Sequence, residues 1–562
     1  MTAFKVKKSP VPELQKWGRY VTGTATASLR EMFEECFARF RARPAFSSMG
    51  VQLSYGEVDR LSRDFAGFLR GHLGLERGER VGIMLPNLLQ YPVALIGVLR
   101  AGLVVVNINP LYTASELETQ LEDAGPAAVV VLENFAHTLA QAIPRTRVRH
   151  VISTQVGDLF PAPRRWVVNF AVKRVQRMVP RWRIDGTIGF REALARGRTL
   201  RVPETQLDAD DIAFLQYTGG TTGRPKGAML THRNMLANLE QTRAWAGAVL
   251  LEGEETVITA LPLYHVFALT ANLLLFARLG GNNVLIADPR DLSGFVRVLQ
   301  RTRFTAITGV NTLYRALLDA KGFDAACAAN HGALKLSVAG GMAVQRDVAV
   351  RWQQATGAPL VEGYGLTEAS PNVCGNPADA REFSGKLGRA LPGTEVAIFD
   401  EEGRTGSVGE IGEICVRGPQ VMPGYWNAPE ETAQAFFPGG WLRTGDLGRI
   451  DERGYVEFIE RRKEVIVVSG FKAYPGEIEA VALQHPGVKD AGVAGLPDAR
   501  TGEAVALYVV KKDPALDEAA LLEHCAKHLA PYKRPRQVFF RESLPKSPIG
   551  KVLRRQLRPD GT

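Results

Sequence analysis

Between Tyr217 and Gly227 the chain reads Tyr-Thr-Gly-Gly-Thr-Thr-Gly-Arg-Pro-Lys-Gly, glycines and hydroxyls crowded around one lysine. Glycines let backbone N–H groups approach phosphate oxygens, while threonine hydroxyls and Lys226 add donors and charge. The candidate cradle is therefore Thr218, Gly219, Gly220, Thr221, Thr222, Gly223 and Lys226, and ATP is the first substrate to consider. A shorter Gly/Thr run would be read as an ordinary mobile turn; eleven residues of this character argue against that. The common nucleotide P-loop is excluded, because it needs Gly-Lys followed by Ser or Thr at a helix start, whereas Lys226 lies between Pro225 and Gly227.

Such a loop needs a rigid strand behind it, and the apolar residues 212–217 predict one. Upstream, strand-like 81–85, helix-like 88–99, strand-like 103–108, a helix from about Thr113 and a strand at 127–132 alternate, which implies parallel strands with crossover helices. Thr113 with Glu116, and Ser115 with Glu118, both have capping-box spacing. The rhythm resumes with a strand at 304–310, a helix through Tyr314, a strand at 336–339 and a helix at 344–355. Ligands bind at the carboxyl ends of such strands, where the Gly-rich loop, Gly340, Gly341, Gly363 and Tyr364 all fall. Tyr364 offers a ring for stacking on adenine, Gly340 and Gly341 allow close approach, and Asp446 has two oxygens for ribose hydroxyls. Alone, Tyr364 would read as a core aromatic and Asp446 as a turn residue; the surrounding motifs outweigh that.

The run at 217–227 resembles the phosphate-binding signature of adenylate-forming enzymes, the superfamily of acyl-CoA synthetases, luciferases and peptide-synthetase adenylation domains. Ala-Gly-Gly-Met at 339–342, Gly-Tyr-Gly-Leu-Thr-Glu at 363–368, Trp-Leu-Arg-Thr-Gly-Asp at 441–446 and Pro-Lys-Ser-Pro-Ile-Gly-Lys at 545–551 follow in the same order. Within the superfamily the chain is most similar to bacterial long-chain fatty acid:CoA ligases, through Asn-Pro-Leu-Tyr-Thr at 109–113, Pro-Leu-Tyr-His-Val-Phe at 262–267 and Val-Ser-Gly-Phe at 468–471. The resemblance implies an α/β fold: a large N-terminal domain of several subdomains with mixed parallel sheets, 1–459, and a small mobile α+β C-terminal domain, 460–562. The style does change after about Glu460, to short strands and two helices near 475–484 and 517–529.

The chemistry so implied has two halves. A carboxylate attacks the α-phosphorus of ATP and expels pyrophosphate; the thiol of CoA then cuts the acyl-adenylate. Positioning and charge neutralisation dominate, since both reactants of the first half are anionic. The resemblance gives Glu368 a place on Mg²⁺, Thr367 a bond to the α-phosphate, Gly365 a place in the nucleotide motif, Arg461 a contact to ribose, and Thr222 a catalytic place in the loop. Lys551 would reach into the first-step site, and the lid would then rotate to bring Ser469, Gly470 and Phe471 to the pantetheine tunnel. His265 has a family counterpart at the acyl end of the pocket, where aromatic closure and a merely buried imidazole are both open. The family hinge has the form Asp-Arg-x-Lys, and here Glu460-Arg461-Arg462-Lys463 departs from it at the first residue. The apolar residues 266–269 oppose an amino acid substrate, whose buried ammonium would need a carboxylate. The remaining alternatives are a medium-chain or aryl acid:CoA ligase and an acyl-adenylate ligase loading a carrier protein.

The bulk properties agree. At 562 residues, 45% hydrophobic and 23% charged, the chain is globular and large enough for two or more domains. A net charge of +10 favours anionic partners. A basic nucleic-acid-binding protein would leave the phosphate loop, Glu368 and Lys551 without work, and the histidines and cysteines have no zinc-finger spacing. Five scattered cysteines suit a reducing cytoplasm. The first fourteen residues lack the apolar core of a signal peptide, and stretches 91–107 and 261–286 are too interrupted to span a membrane. Residues 164–183 carry seven basic side chains and no acidic one, with Val168, Val172, Val175 and Val179 at helical spacing and Pro180 to end the helix. That pattern fits either contact with an anionic membrane or a stripe packed on the domain with solvated arginines. A homodimer is left open.

Overall fold

The computed structural model describes residues 26–201, 206–218, 225–469, 471–498, 500–546 and 552–559. Two large sheets make up most of the N-terminal part. In the seven-stranded sheet the order is Ile188–Gly189, His150–Thr154, Ala128–Leu132, Arg80–Met84, Val104–Asn107, Ile212–Thr218 and Lys226–Thr231, parallel except for the last strand, which returns antiparallel. Its central strands are buried on both faces, as near-continuous valine runs require.

The nine-stranded sheet runs Arg389–Ala390, Asn372–Gly375, Leu360–Gly365, Leu336–Ala339, Ala306–Gly309, Thr256–Thr259, Asn282–Leu285, Pro44–Ser48 and Val51–Ser54, with the six strands from Leu360–Gly365 to Pro44–Ser48 parallel. A five-stranded antiparallel sheet, which includes Trp441–Ile450 and Val456–Arg461, follows. A further five-stranded sheet with helices Pro475–Leu483 and Glu518–His528 forms the small C-terminal domain. The α/β expectation holds. Thr113 caps helix Ala114–Ala124 with a complete capping box to Glu116. Ser115 lies inside that helix, so its similar spacing to Glu118 marks nothing.

The basic segment departs from its expected geometry. Helix Arg164–Phe170 widens into a five-residue turn over Ala171–Val175, and Arg177 takes a left-handed φ of 53° before Pro180 is reached. The wider turn shifts the helical phase. Val168 and Val172 therefore pack on the main core, while Val175 is 70% exposed. Among the described residues no helix is long and apolar enough to cross a membrane.

Arg100, which interrupts the apolar run at 91–107, is buried at the end of helix Gln90–Arg100. Its guanidinium pairs with Asp59 at 2.6 Å and Glu34 at 2.8 Å, donates to Ser62 Oγ at 2.9 Å, and lies 4.8 Å from the Phe37 ring centre. Removing it leaves the buried Asp59 with only the more exposed Arg63, 2.8 Å away, as a charged partner. Arg100→Ala is expected to destabilise this domain by about 3–5 kcal/mol in denaturant titrations. Adding Asp59→Ala should recover part of the loss, and simple additivity of the two substitutions would show that the pair is not coupled.

Candidate active site

Strand Ile212–Thr218 delivers Thr218 to the carboxyl end of the seven-stranded sheet, and its antiparallel return starts at Lys226, directly opposite Thr218. Gly219, Gly220, Thr221, Thr222 and Gly223 lie outside the described residues. The Lys226 ammonium sits 5.4 Å from the centre of the Tyr425 ring. Tyr425 O–H donates to Glu368 Oε1 at 2.7 Å, so one phenol joins the lysine side of the site to the proposed metal-binding carboxylate. Burial, with the Glu368 charge second, pushes the Tyr425 phenol well up and keeps it a donor. The segment carrying Tyr425 is fixed by backbone bonds from Trp426 N–H to Gly227 O, 2.7 Å, and from Met229 N–H to Gly424 O, 3.0 Å. Tyr425 was not singled out from sequence; the cluster Pro423-Gly-Tyr-Trp-Asn427 was the available signal.

A second group gathers at the ends of the parallel strands of the other sheet. Strand Leu336–Ala339 leads into Gly340 and Gly341, and Leu360–Gly365 carries Gly363, Tyr364 and Gly365. A Cβ on Gly340 would stand 3.1 Å from the Phe267 ring and 3.3 Å from Gly363 O, so glycine keeps three segments in contact there. Gly365 is more constrained, since a Cβ would meet Pro371 O at 2.2 Å. Tyr364 O–H donates to Asp446 Oδ2 at 2.7 Å, and Arg461 Nε lies 3.3 Å from Asp446 Oδ1. Asp446 and Arg461 are direct partners in the antiparallel pairing of Trp441–Ile450 with Val456–Arg461. Thr367 opens the short turn Thr367–Ala369 that presents Glu368.

His265 caps the turn Val266–Ala268, its Nδ1 accepting the Phe267 N–H at 3.3 Å, which leaves the ring proton on Nε2. Desolvation pushes the imidazole down to about 4, so it is neutral at physiological pH. The segment is held by buried polar bonds: Gln216 Nε2 to Tyr264 O at 2.7 Å, Tyr91 O–H to Leu263 O at 2.8 Å, and Leu263 N–H to Asn87 Oδ1 at 2.8 Å. Gln216 stands two residues before Thr218, so the same strand positions both Thr218 and the His265 segment. Behind Phe267 and Gly363 lies an apolar cavity of about 40 Å³, lined among others by Trp245, Ala271, Leu275, Val338 and Leu391.

The C-terminal residues divide differently. Lys551 and Gly470 lie outside the described residues. Ser469, at φ 51°, turns the hairpin between Ile466–Val468 and Phe471–Ala473. Phe471 stacks on Tyr532 at 5.1 Å, and Lys472 pairs with Glu401 at 3.2 Å. No hydrogen bond, ion pair or ring contact among the described residues joins this hairpin to Tyr364, Glu368 or Phe267. Glu460 is buried at the end of its strand. Its carboxylate takes Arg554 Nη1 at 2.7 Å, Gly476 N–H at 2.6 Å and Arg461 N–H at 2.9 Å. Arg554 also holds Glu479 at 2.6 Å and pairs with Glu464.

Known proteins match this arrangement. The model of the AMP-binding enzyme family matches residues 33–426, and that of the AMP-binding enzyme C-terminal domain matches 477–551. The chain is 52% identical over 533 residues to a long-chain-fatty-acid–CoA ligase of Salmonella typhimurium, covering 95% of this chain and 94% of that one. It is 37% identical over 546 residues to one of Bacillus subtilis, covering 95% of each. The solved structure of ATP-bound MatB from Rhodopseudomonas palustris superimposes with a TM-score of 0.80 at 30% identity, over 94% of this chain and 97% of that one. The chain thus belongs to the AMP-binding enzyme family, with both its large and its small domain.

Proposed function

We propose that this protein joins a long-chain fatty acid to CoA through an acyl-adenylate, at the expense of ATP and with release of AMP and pyrophosphate. The observation that carries the reading is the convergence of Lys226, Tyr425 and Glu368 on one side of the site with Gly340, Tyr364, Asp446 and Arg461 on the other. Relatives at 45–52% identity are named long-chain-fatty-acid–CoA ligases, which supports the choice of acid.

In this mechanism the loop from Thr218 to Gly223 and Lys226 hold the β- and γ-phosphates. Tyr364 stacks on adenine, with Gly340, Gly341 and Gly363 leaving room, while Asp446 and Arg461 engage the ribose. Glu368 fits magnesium chemistry, because that ion is commonly held by one or two carboxylates with the rest of its shell from phosphate and water. Bound there, the ion would neutralise phosphate charge. A carboxylate oxygen of the acid attacks the α-phosphorus and pyrophosphate leaves, with Lys551 and Thr367 opposing the charge on the α-phosphate. The CoA thiol then attacks the acyl carbon, giving up its proton to solvent, and AMP leaves, at a site completed by Ser469, Gly470 and Phe471 after the lid, residues 460–562, has turned about Glu460. His265, neutral and already bonded, closes the acyl end rather than acting as a base. The cavity behind Phe267, about 40 Å³, is well below the roughly 150 Å³ of a cavity that holds one benzene. A long acyl chain would enter only if Phe267 and Trp245 shift. The five cysteines are free, which agrees with work in a reducing cytoplasm on an acid drawn from the inner membrane face.

ATP–pyrophosphate exchange across carboxylic acids of increasing length tests the substrate; exchange that peaks with aryl or short acids would replace the fatty acid reading. Lys551→Ala should lower adenylate formation by about two orders of magnitude or more, as expected for loss of a cation on developing charge. Thioester formation from supplied acyl-adenylate should be much less affected, and equal losses in both halves would refute the role of Lys551. Glu460→Pro, by fixing φ at the joint, should impair the CoA step more than exchange. Glu460→Gln serves as the control for lost pairing with Arg554, and normal turnover in the proline variant would remove Glu460 as the hinge.

A further inference from the structure

The helix from Arg164 to Val175 is fastened to the domain by one face only. Val168 and Val172 pack on the core, Asn169 Oδ1 accepts Gly157 N–H at 2.8 Å, and Lys173 pairs with Glu133 at 3.1 Å. These contacts fix which side looks outward. The outward side is not polar: Trp166, Val167, Phe170 and Val175, with Met178 beyond them, are each 54–70% exposed. Trp166 and Phe170 stand four residues apart and so share one helical face, opposite Val168 and Val172. Around this ridge lie Arg165, Arg174, Arg177 and Arg181; the last three make no ion pair among the described residues. Arg164 bonds to Met49 O, bringing the half-exposed Met49 to the same end of the ridge.

We infer that this ridge docks on an anionic phospholipid bilayer, with Trp166, Phe170, Val175 and Met178 entering the headgroup and acyl boundary and the arginines meeting lipid phosphates. A line of exposed aromatic and aliphatic side chains, flanked by cations and free of acidic residues from 164 to 183, has the charge complementarity and amphipathic character of an interfacial helix. Its purpose rests on the fatty acid reading above, because an acid that partitions into bilayers would be collected there; the binding itself does not. Rigid attachment through the valine face means that insertion needs no refolding of the domain.

Co-sedimentation of the full chain with vesicles of phosphatidylcholine alone, or mixed with phosphatidylglycerol, tests this. The native chain should sediment with the mixed vesicles, weakly with the neutral ones, and less as salt rises. Trp166→Ser/Phe170→Ser should cut the bound fraction about tenfold even at low salt, and Arg174→Glu/Arg177→Glu should abolish the preference for phosphatidylglycerol. Pyrophosphate exchange with detergent-dispersed acid should be unchanged in both variants, which shows that they are folded. Absent exchange in the native chain would sink the ligase reading and leave the vesicle result standing. Equal sedimentation of native and Trp166→Ser/Phe170→Ser chains would overturn the docking surface, as would a native chain that ignores both vesicles. Loss of a native dimer in that variant without loss of vesicle binding would instead assign the ridge to a second copy of this chain.

Discussion

A nucleotide triphosphate concentrates negative charge in a few ångströms, and protein can meet it only where backbone N–H groups and cations reach the same place without side chains in the way. The ends of parallel strands provide that place. Both large sheets end at the site, one with Thr218 and Lys226, the other with Gly340 and Gly363. The glycines at 340 and 365 are there because neighbouring backbone and the Phe267 ring occupy the space a Cβ would need. The polar network through Asn87, Tyr91, Asn107 and Gln216 ties the two sheets to one another, so Thr218 and the segment 263–265 share a single support.

Much of this was legible because the signals were local. Thr113 and Glu116 lie in one helical turn and announce the helix start. The alternation of short apolar runs with amphipathic ones points to the parallel sheets, and the apolar run 212–217 feeding the glycine loop places the strand observed at Ile212–Thr218. Tyr364 and Asp446 were read as separate nucleotide contacts; their hydrogen bond to one another was not readable, because 82 residues separate them. Tyr425 escaped notice for the same reason, lying 57 residues from the Glu368 it touches. The valine stripe failed where a local widening of the helix changed its phase, which residue spacing alone does not encode.

The two readings of the basic helix, packed on the domain or turned to a bilayer, do not exclude one another. Packing consumed the valines at 168 and 172, yet the opposite face kept its aromatic residues in solvent. Burial of one stripe therefore says little about the other when a helix is apolar on two sides.

The joint between the domains is also an electrostatic knot. Glu460 lies on strand Val456–Arg461, while Gly476 and Glu479 belong to helix Pro475–Leu483 and Arg554 follows near the end of the described residues. A turn of the small domain about this point, as proposed above, would strip the buried carboxylate of Arg554 and the Gly476 amide together and leave it only the Arg461 amide. The glutamate side chain at 460 reaches the Gly476 amide and the Arg554 guanidinium at once.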